Sequence, residues 1–246
     1  MDQTDWSGLL GQAAVVLLGV LVIAGVIIAV IASYRAEQRR IQALRDLAAA
    51  RSLNFHQDDP FNLPEVYAAT SFCSEGHDKK ASNVIEGRVG DCMVRWFDYE
   101  YTITVTRTQV LPGGGSRTVE EDETNYKSGC ATHTALRLKR LFVRHETFLD
   151  RAAALVGFSG IELDSAEFNK RFHVACDDKK FAYDVLHQKA MEFLLERPNL
   201  TIESNGDFFL FTLGDEQLNP QQAASLIDAA TGFCALLPRY LKEDAR

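Results

Sequence analysis

Ionisable side chains are absent from residues 9–32, and Gln12 is the one clearly polar residue in this run of 24. At about 1.5 Å of rise per helical residue the run spans roughly 36 Å, enough to cross a hydrocarbon core of about 30 Å. The missing charges therefore predict a transmembrane helix over residues 9–32, preceded by a short extracytoplasmic segment, residues 1–8. The lipid bilayer is the first partner that the sequence indicates.

A basic segment ahead of the apolar run is also missing, because residues 1–6 contain Asp2 and Asp5 but no Lys or Arg. A cleaved secretory signal needs a basic start and an apolar stretch of only about 7 to 15 residues. We therefore expect the helix to stay attached as an anchor.

Positive charge gathers directly after the apolar run, where residues 35–51 hold five Arg against Glu37 and Asp46, a net charge of +3. Lys and Arg accumulate on the cytoplasmic side of membrane spans. The sequence thus predicts a single-pass protein of the cell membrane, with its N-terminus outside and its C-terminal domain in the cytoplasm. Apolar residues at helical spacing predict a basic juxtamembrane helix over residues 33–51. Because its charge cluster is modest, an ordinary positive flank of the membrane span is favoured over a stripe that recognises lipids.

Cysteine is scarce and odd in number, with five residues scattered along the chain at Cys73, Cys92, Cys130, Cys176 and Cys234. This pattern suits reduced thiols in a cytosolic domain better than a disulfide framework. A basic excess is missing too, since 34 acidic residues outnumber 26 Lys and Arg. Because an acidic domain repels phosphate backbones, we expect no nucleic-acid partner.

Residues 52–246 are long enough to form one domain. Within them, residues 84–89 predict a short strand and residues 93–110 a long one, in which Phe97, Tyr99 and Tyr101 share one face. Polar residues dominate the other face, which is typical of a half-buried antiparallel strand. Residues 112–116, with three consecutive glycines, predict its reversal in a hairpin loop over residues 106–129, and residues 132–138 the returning strand. No Lys-Ser or Lys-Thr follows the glycines, so a flexible tip is favoured over a phosphate loop.

Two principal amphipathic helices are predicted over residues 179–196 and 220–237. The first follows a cap at Asp177 or Asp178, and the second has Asn219 as N-cap with Pro220 at the first helical position. A strand is predicted at residues 172–176 and a short helix at residues 148–156. Asn205-Gly206, between the apolar runs 200–203 and 207–213, predicts a tight hairpin.

A further short helical turn is predicted from Asp164, with Glu167 three residues later in a capping arrangement. The fold class that these elements predict is α+β. An N-terminal transmembrane helix is followed by one cytoplasmic domain, with a mainly antiparallel sheet and the two principal helices covering one face.

Four segments in order resemble a group of functionally uncharacterised bacterial single-pass membrane-anchored proteins: residues 83–87, 97–102, 161–169 and 172–186. The resemblance covers most of residues 50–238. It implies a bacterial membrane protein, and it implies no particular reaction. The loop predicted over residues 106–129 is longer than the usual hairpin of that group, which leaves the strand register there open.

Few residues carry a pattern that points to chemistry. The six His form no H-E-x-x-H pair, and Cys73 with His77 supplies two weak candidate metal ligands where a zinc site needs four. Asp98 and Tyr99, in the aromatic strand, are weak catalytic candidates, and Trp96, Asp98 and Glu100 could line a groove on one strand face. Ordinary cross-strand pairs and loop residues explain both sets more simply, and no cofactor is indicated.

Two functions of different classes follow from these features. The favoured one is a membrane-tethered cytosolic binding or interaction module, with a protein as the expected partner at the membrane. The alternative is a membrane-anchored hydrolase whose site is assembled from distant segments. A pocket with strongly perturbed ionisation favours the enzyme, and a shallow surface with an apolar patch favours the binding module.

Overall fold

Helix α1 (Trp6–Ala50) begins the structure, a computed structural model that describes residues 6–110, 114–145 and 161–238. The chain forms two units, Met1–Ala43 and Leu44–Arg246. The boundary falls inside the predicted juxtamembrane segment, through which α1 is continuous as expected. The helix predicted over residues 148–156 lies outside the described residues.

The first unit contains the apolar part of α1. From Leu17 onward the helix is long and apolar enough to cross a membrane. Eleven large apolar side chains between Leu17 and Ile31 are exposed. Such a surface is stable against lipid and unfavourable in water, so the helix has the composition of a membrane anchor.

The second unit is built on a six-stranded sheet in which every pairing is antiparallel. Its strands are β1 (Asn54–Asp58), β2 (His77–Val89), β3 (Cys92–Val110), β4 (Ser116–His145), β5 (Phe172–Cys176) and β6 (Leu200–Leu213). Neighbours run in the order β1-β2-β3-β4-β5, and β6 pairs with β4. The predicted α+β class with an antiparallel sheet is confirmed.

Strand β4 corrects the prediction of a hairpin loop over residues 106–129. It starts at Ser116, which pairs with Val110, and the ladder with β3 continues without a break to His133. The acidic residues of this stretch are tolerated because they lie on an exposed two-stranded ribbon, where Arg107 forms ion pairs with Glu121 and Glu123. Acidic composition in this stretch therefore does not indicate a loop, because its residues pair with β3.

Strand β6 corrects the prediction of a hairpin at Asn205-Gly206. Residues 200–213 form one continuous strand, and the pairing with β4 shifts register on both sides of the Leu138–Gly206 pair. Gly206 has φ of 63°, a left-handed conformation that the Asn-Gly sequence favours in a turn and that also occurs at β-bulges. The Asn-Gly sequence thus indicates the positive φ, but β6 pairs with β4 on both sides of Gly206 and does not reverse there.

The helices of the second unit are α2 (Leu63–Val66), α3 (Ser71–Ser74), α4 (Ala166–Arg171), α5 (Lys179–Val185), α6 (Gln188–Leu195) and α7 (Pro220–Leu236). The predicted capping of α7 is confirmed, since the Asn219 side chain accepts from the N–H of Gln222 and Gln222 Oε1 accepts from the N–H of Asn219. At α4 the cap is Ser165 instead of Asp164.

The single helix predicted over residues 179–196 is wrong. Asp178 caps α5 as predicted, but α5 ends at Val185 and α6 starts anew at Gln188. At the break, the His187 ring lies 2.9 Å from the Leu236 carbonyl oxygen, at the end of α7. The two short helices thus meet beside a residue whose side chain contacts a distant helix.

The sheet has two buried faces. On the α7 face, strand residues such as Trp96, Cys130 and Phe211 pack with α4 to α7 and with Leu44 of α1. On the α3 face, alternate strand residues pack with α2 and α3. The buried residues of this core include Leu63, Tyr67, Phe72, Cys73, Phe97, Tyr99, Tyr101, Phe208 and Leu210. β3 is thus buried on both faces around Trp96 to Tyr99, where a half-buried strand was predicted.

Candidate functional site

A cavity of about 360 Å³ lies on the α3 face, between α3, the middle of β3 at Tyr101, and strands β4 and β6. Because successive strand residues point to opposite faces, Phe142 and Arg144 of β4 face it while Leu141 and Val143 join the core of the α7 face. Cavities of this size accept small molecules or single side chains of a partner. The cavity is therefore the candidate site of the molecule.

Lys127 of β4 forms part of the cavity wall. Its Nζ lies 4.5 Å from the ring centroid of Phe72, 4.6 Å from that of Tyr101 and 5.6 Å from that of Tyr99. The residue is 4% exposed. Within the described part of the chain, no carboxylate lies within ion-pair distance of this ammonium. Aromatic faces attract a cation, but they are a weaker substitute for water than a carboxylate is.

Burial lowers the pKa of Lys127, and the negative charges of Asp215, Glu75 and Glu203 act in the opposite direction. Glu75 and Asp215 are exposed residues at the cavity wall, so solvent screens their charges. The ammonium is therefore held in a place where its positive charge is only partly balanced.

Two arginines of β4 add positive charge to the same cavity. Arg144 is buried, with its guanidinium carbon 5.7 Å from the Phe142 ring centroid, while Arg140 is exposed. Three cationic side chains of one strand thus line a cavity whose wall also contains the Phe142 and Tyr101 rings. This arrangement can bind a group that is negative at one end and apolar at the other.

Glu203 of β6 is the most buried acid of the cavity wall, and it holds α3 in place. Its two carboxylate oxygens accept hydrogen bonds from the Ser71 N–H at 2.8 Å and the Ser71 Oγ at 2.5 Å. Burial raises the pKa of Glu203, and the Ser71 hydrogen bonds oppose that rise. Glu203 therefore positions the cavity wall through Ser71, and its charge acts on Lys127 without a direct ion pair.

The structure places Asp98 away from this cavity. Its Oδ1 accepts from Ser128 Oγ at 2.7 Å and its Oδ2 from Asn83 Nδ2 at 2.9 Å. Ser128 Oγ in turn accepts from the N–H of Leu218, ahead of α7. Asp98 therefore joins β2, β3, β4 and the α7 entry in a buried hydrogen-bond network. Its partner on the same strand face, Trp96, is buried in the core rather than lining a groove.

Tyr99 contacts the candidate site through its ring, which faces Lys127. Its hydroxyl donates to the Cys73 carbonyl oxygen at 3.5 Å, and burial raises its pKa. A neutral, buried phenol stabilises the aromatic wall and is a poor acid or base at neutral pH.

Cys73 and His77, the candidate metal ligands, occupy different environments. Cys73 is buried in the core of the α3 face, where burial raises the pKa of its thiol to about 12. His77 is exposed at the start of β2 and interacts with Asp78 and Thr104. Among the residues described, no group of three or more His, Cys, Asp or Glu is placed to hold a metal ion.

Three of the other thiols, those of Cys130, Cys176 and Cys234, also have a raised pKa. Burial raises the pKa of Cys130 and of Cys176, and the negative charges of Asp177 and Asp178 also raise that of Cys176, while backbone hydrogen bonds from the same two residues lower it. None of the five cysteines, all of them described, is in a disulfide. Thiols whose pKa is raised are weak nucleophiles at neutral pH.

A second polar group on the α3 face was not found from the sequence. Tyr67 Oη lies 2.8 Å from His133 Nε2, Arg95 Nη1 lies 3.3 Å from the same nitrogen, and His133 Nδ1 lies 3.4 Å from Asp207 Oδ2. Burial and the neighbouring Arg95 lower the pKa of His133. Tyr67 is fully buried, so this chain of hydrogen bonds links α2 to the sheet without offering its hydroxyl to a substrate.

Sequence reasoning missed Lys127, Arg144 and Glu203 for a physical reason. Each lies in a strand of mixed polar and apolar residues, where an isolated charge is normally solvated. Lys127 could have been found as the cation that pairs with Tyr99 in the sheet. The predicted loop over residues 106–129 placed it outside the sheet instead.

No family model matches the chain, and no curated protein matches its sequence. Its fold is similar to that in the crystal structure of the mycobacterial trehalose monomycolate transport factor A, TtfA. The TM-score is 0.52 and the sequence identity 12%, over 80% of this chain and 96% of that chain. At this identity the likeness shows a shared fold and nothing further about the site.

Proposed function

We propose that this chain is a membrane-tethered binding module whose cytoplasmic α+β domain engages a partner close to the bilayer through the cavity beside Lys127. The observation that carries the proposal is a buried ammonium facing an open cavity without a carboxylate bound to it. Burying such a charge is unfavourable for folding, and a ligand or partner group that enters the cavity can offset that penalty.

The membrane helix and the similar structure support a role at the bilayer. α1 is long and apolar enough to cross a membrane, and the five Arg that follow the apolar run favour a cytoplasmic domain. TtfA is named as a transport factor, and a tethered binding module fits an accessory role of that kind. A bacterial origin, implied by the sequence resemblance, fits the same proposal.

The hydrolase alternative gains little support from the described residues. Asp98 uses both carboxylate oxygens in structural hydrogen bonds, and the Tyr99 hydroxyl is directed at a backbone carbonyl. A general base must reach the proton that it abstracts. Neither candidate does so from the cavity.

Site-specific photocrosslinking in native membranes tests the binding proposal. A photoreactive residue at Asn205, in the cavity wall, is compared with one at Gln221, an exposed residue of α7 on the other side of the sheet. We expect a crosslinked species of defined mass from position 205 that is missing from position 221 and that co-purifies with the unmodified chain. Equal labelling from both positions, or none from 205, contradicts the proposal.

Protease added to sealed, right-side-out vesicles tests the orientation. We expect residues 52–246 to survive in intact vesicles and to be digested once the membrane is opened with detergent. Digestion of the domain in intact vesicles would show that it faces outward.

A further inference from the structure

We propose that the cavity beside Lys127 is an anion site, which takes the carboxylate or phosphate group of a small amphiphile and packs the apolar part of that molecule against Phe142 and Tyr101. This inference rests on the proposed function, because it names the chemistry of the ligand that the binding module recognises.

The charge argument starts from the Lys127 ammonium. Lys127 as a residue is 4% exposed, and the close neighbours of its ammonium are the three aromatic rings. Glu203, the most buried acid of the cavity wall, has both oxygens bound to Ser71. An incoming oxyanion can therefore form the charge-assisted hydrogen bond that the described part of the chain does not provide to Lys127.

A cationic or neutral polar ligand fits the site less well. Aromatic cages commonly bind ligand cations, but here the chain places its own ammonium against Phe72 and Tyr101. A second cation would be repelled by Lys127, which the rings already hold. The buried Lys127 ammonium therefore favours an anion over a cation in this cavity, although the exposed Glu75 and Asp215 also line it.

The remaining wall explains why the ligand is amphiphilic. Phe142 and Tyr101 contribute aromatic surface beside the cationic groups, and the cavity volume of about 360 Å³ exceeds that of a bare carboxylate or phosphate. Apolar surface next to a desolvated charge favours a ligand whose chain or ring follows directly after its anionic group.

Calorimetric titration of the full-length chain tests the inference, with the protein in nanodiscs of zwitterionic lipid and empty nanodiscs as the blank. The probes are hexanoate, hexyl phosphate and hexanamide, the last being a neutral molecule of nearly the same shape as hexanoate. We expect hexanoate or hexyl phosphate to bind at least about ten times more tightly than hexanamide, as for a hydrogen bond between charged groups. Equal affinities for the anions and the amide overturn the proposal.

Variants then locate the anion. Lys127→Met keeps the length of the side chain among the rings and removes the charge, and Lys189→Met removes a charge from an exposed position on α6. We expect K127M to bring hexanoate and hexanamide within about two-fold of each other, while K189M keeps the full ratio. A ratio unchanged in K127M contradicts the assignment. The wild-type titration stands by itself should K127M fail to fold.

Anionic lipid distinguishes the two sources of the group. If nanodiscs containing anionic phospholipid weaken hexanoate binding in proportion to that lipid, the natural ligand is a lipid headgroup; if they leave it unchanged, the ligand is a soluble amphiphile. Both results uphold the anion site. Photocrosslinking from Asn205 without anion preference would leave the binding module standing and remove the anion, so the two proposals fail separately.

Discussion

Each face of the sheet buries a charged group, and the two groups are treated differently. On the α7 face, Asp98 accepts hydrogen bonds from Asn83 and Ser128 and lies in a closed network. On the α3 face, Lys127 faces three aromatic rings and an open cavity. A charge with its partners supplied by the fold stabilises the domain, whereas one that faces a cavity is available to a ligand.

The largest expected effect comes from the apolar layer of the α7 face. Phe233 is fully buried and its ring centroid lies 5.8 Å from that of Phe209 and 5.7 Å from that of Phe211. We expect Phe233→Ala to lower the free energy of unfolding by about 3 to 5 kcal/mol, because a cavity replaces the ring. Chemical denaturation measures it. Val110→Ala, at an exposed position, serves as the control and is expected to change stability by less than about 0.5 kcal/mol.

Removing the charge from the closed network is expected to be the next largest change. Asp98→Ala leaves the Asn83 amide and the Ser128 hydroxyl without their acceptor, which lowers the free energy of unfolding by about 1 to 3 kcal/mol. Denaturation of D98A beside Asp91→Ala, a variant of an exposed turn acid, gives the comparison. An unaltered stability in D98A means that the network is not structural.

The charge on the α3 face is expected to behave in the opposite way. Lys127→Met should raise the free energy of unfolding at pH 7 by about 1 to 2 kcal/mol, because an apolar side chain replaces a desolvated ammonium. Thermal unfolding beside Lys189→Met measures this gain. If K127M lowers the free energy of unfolding and K189M does not, the aromatic rings satisfy the charge fully.

The same variant has a pH dependence with a definite sign. Burial lowers the pKa of Lys127 below 10.5 in the folded protein. At pH values between this lowered pKa and 10.5, the unfolded chain therefore binds more protons than the folded protein. The free energy of unfolding of the wild type therefore rises as the pH rises toward 10.5, and the difference between K127M and the wild type becomes smaller. Denaturation at a series of pH values up to about 10 shows whether the two curves converge.

The smallest effect concerns the helix that covers the α7 face. Asn219→Ala removes the acceptor for the Gln221 and Gln222 N–H groups and should lower the free energy of unfolding by about 1 kcal/mol. Gln221→Ala, whose backbone N–H still binds Asn219, is the matched control. Equal stability of the two variants in chemical denaturation would contradict a role for the cap.

Local signals in the sequence were reliable where neighbours along the chain decide the structure. The Asn219 capping box, the Asp178 cap and the continuity of α1 follow from contacts within a few residues. The same reasoning failed at Asn205-Gly206, at His187 and over residues 106–129, where pairing with a distant strand or helix decides. The sequence marks Asp98 only as a weak catalytic candidate, because its hydrogen-bond partners Asn83 and Ser128 lie on other strands.

By itself the sequence determined the membrane-spanning composition, the α+β class and the antiparallel sheet, because uncharged length, alternation and capping act locally. The tertiary structure alone decided that β3 is buried on both faces and that Lys127, Arg144 and Glu203 meet at one cavity. These residues are 17 and 59 positions apart along the chain. Strand pairing brings them together, and no short-range pattern records which strands pair.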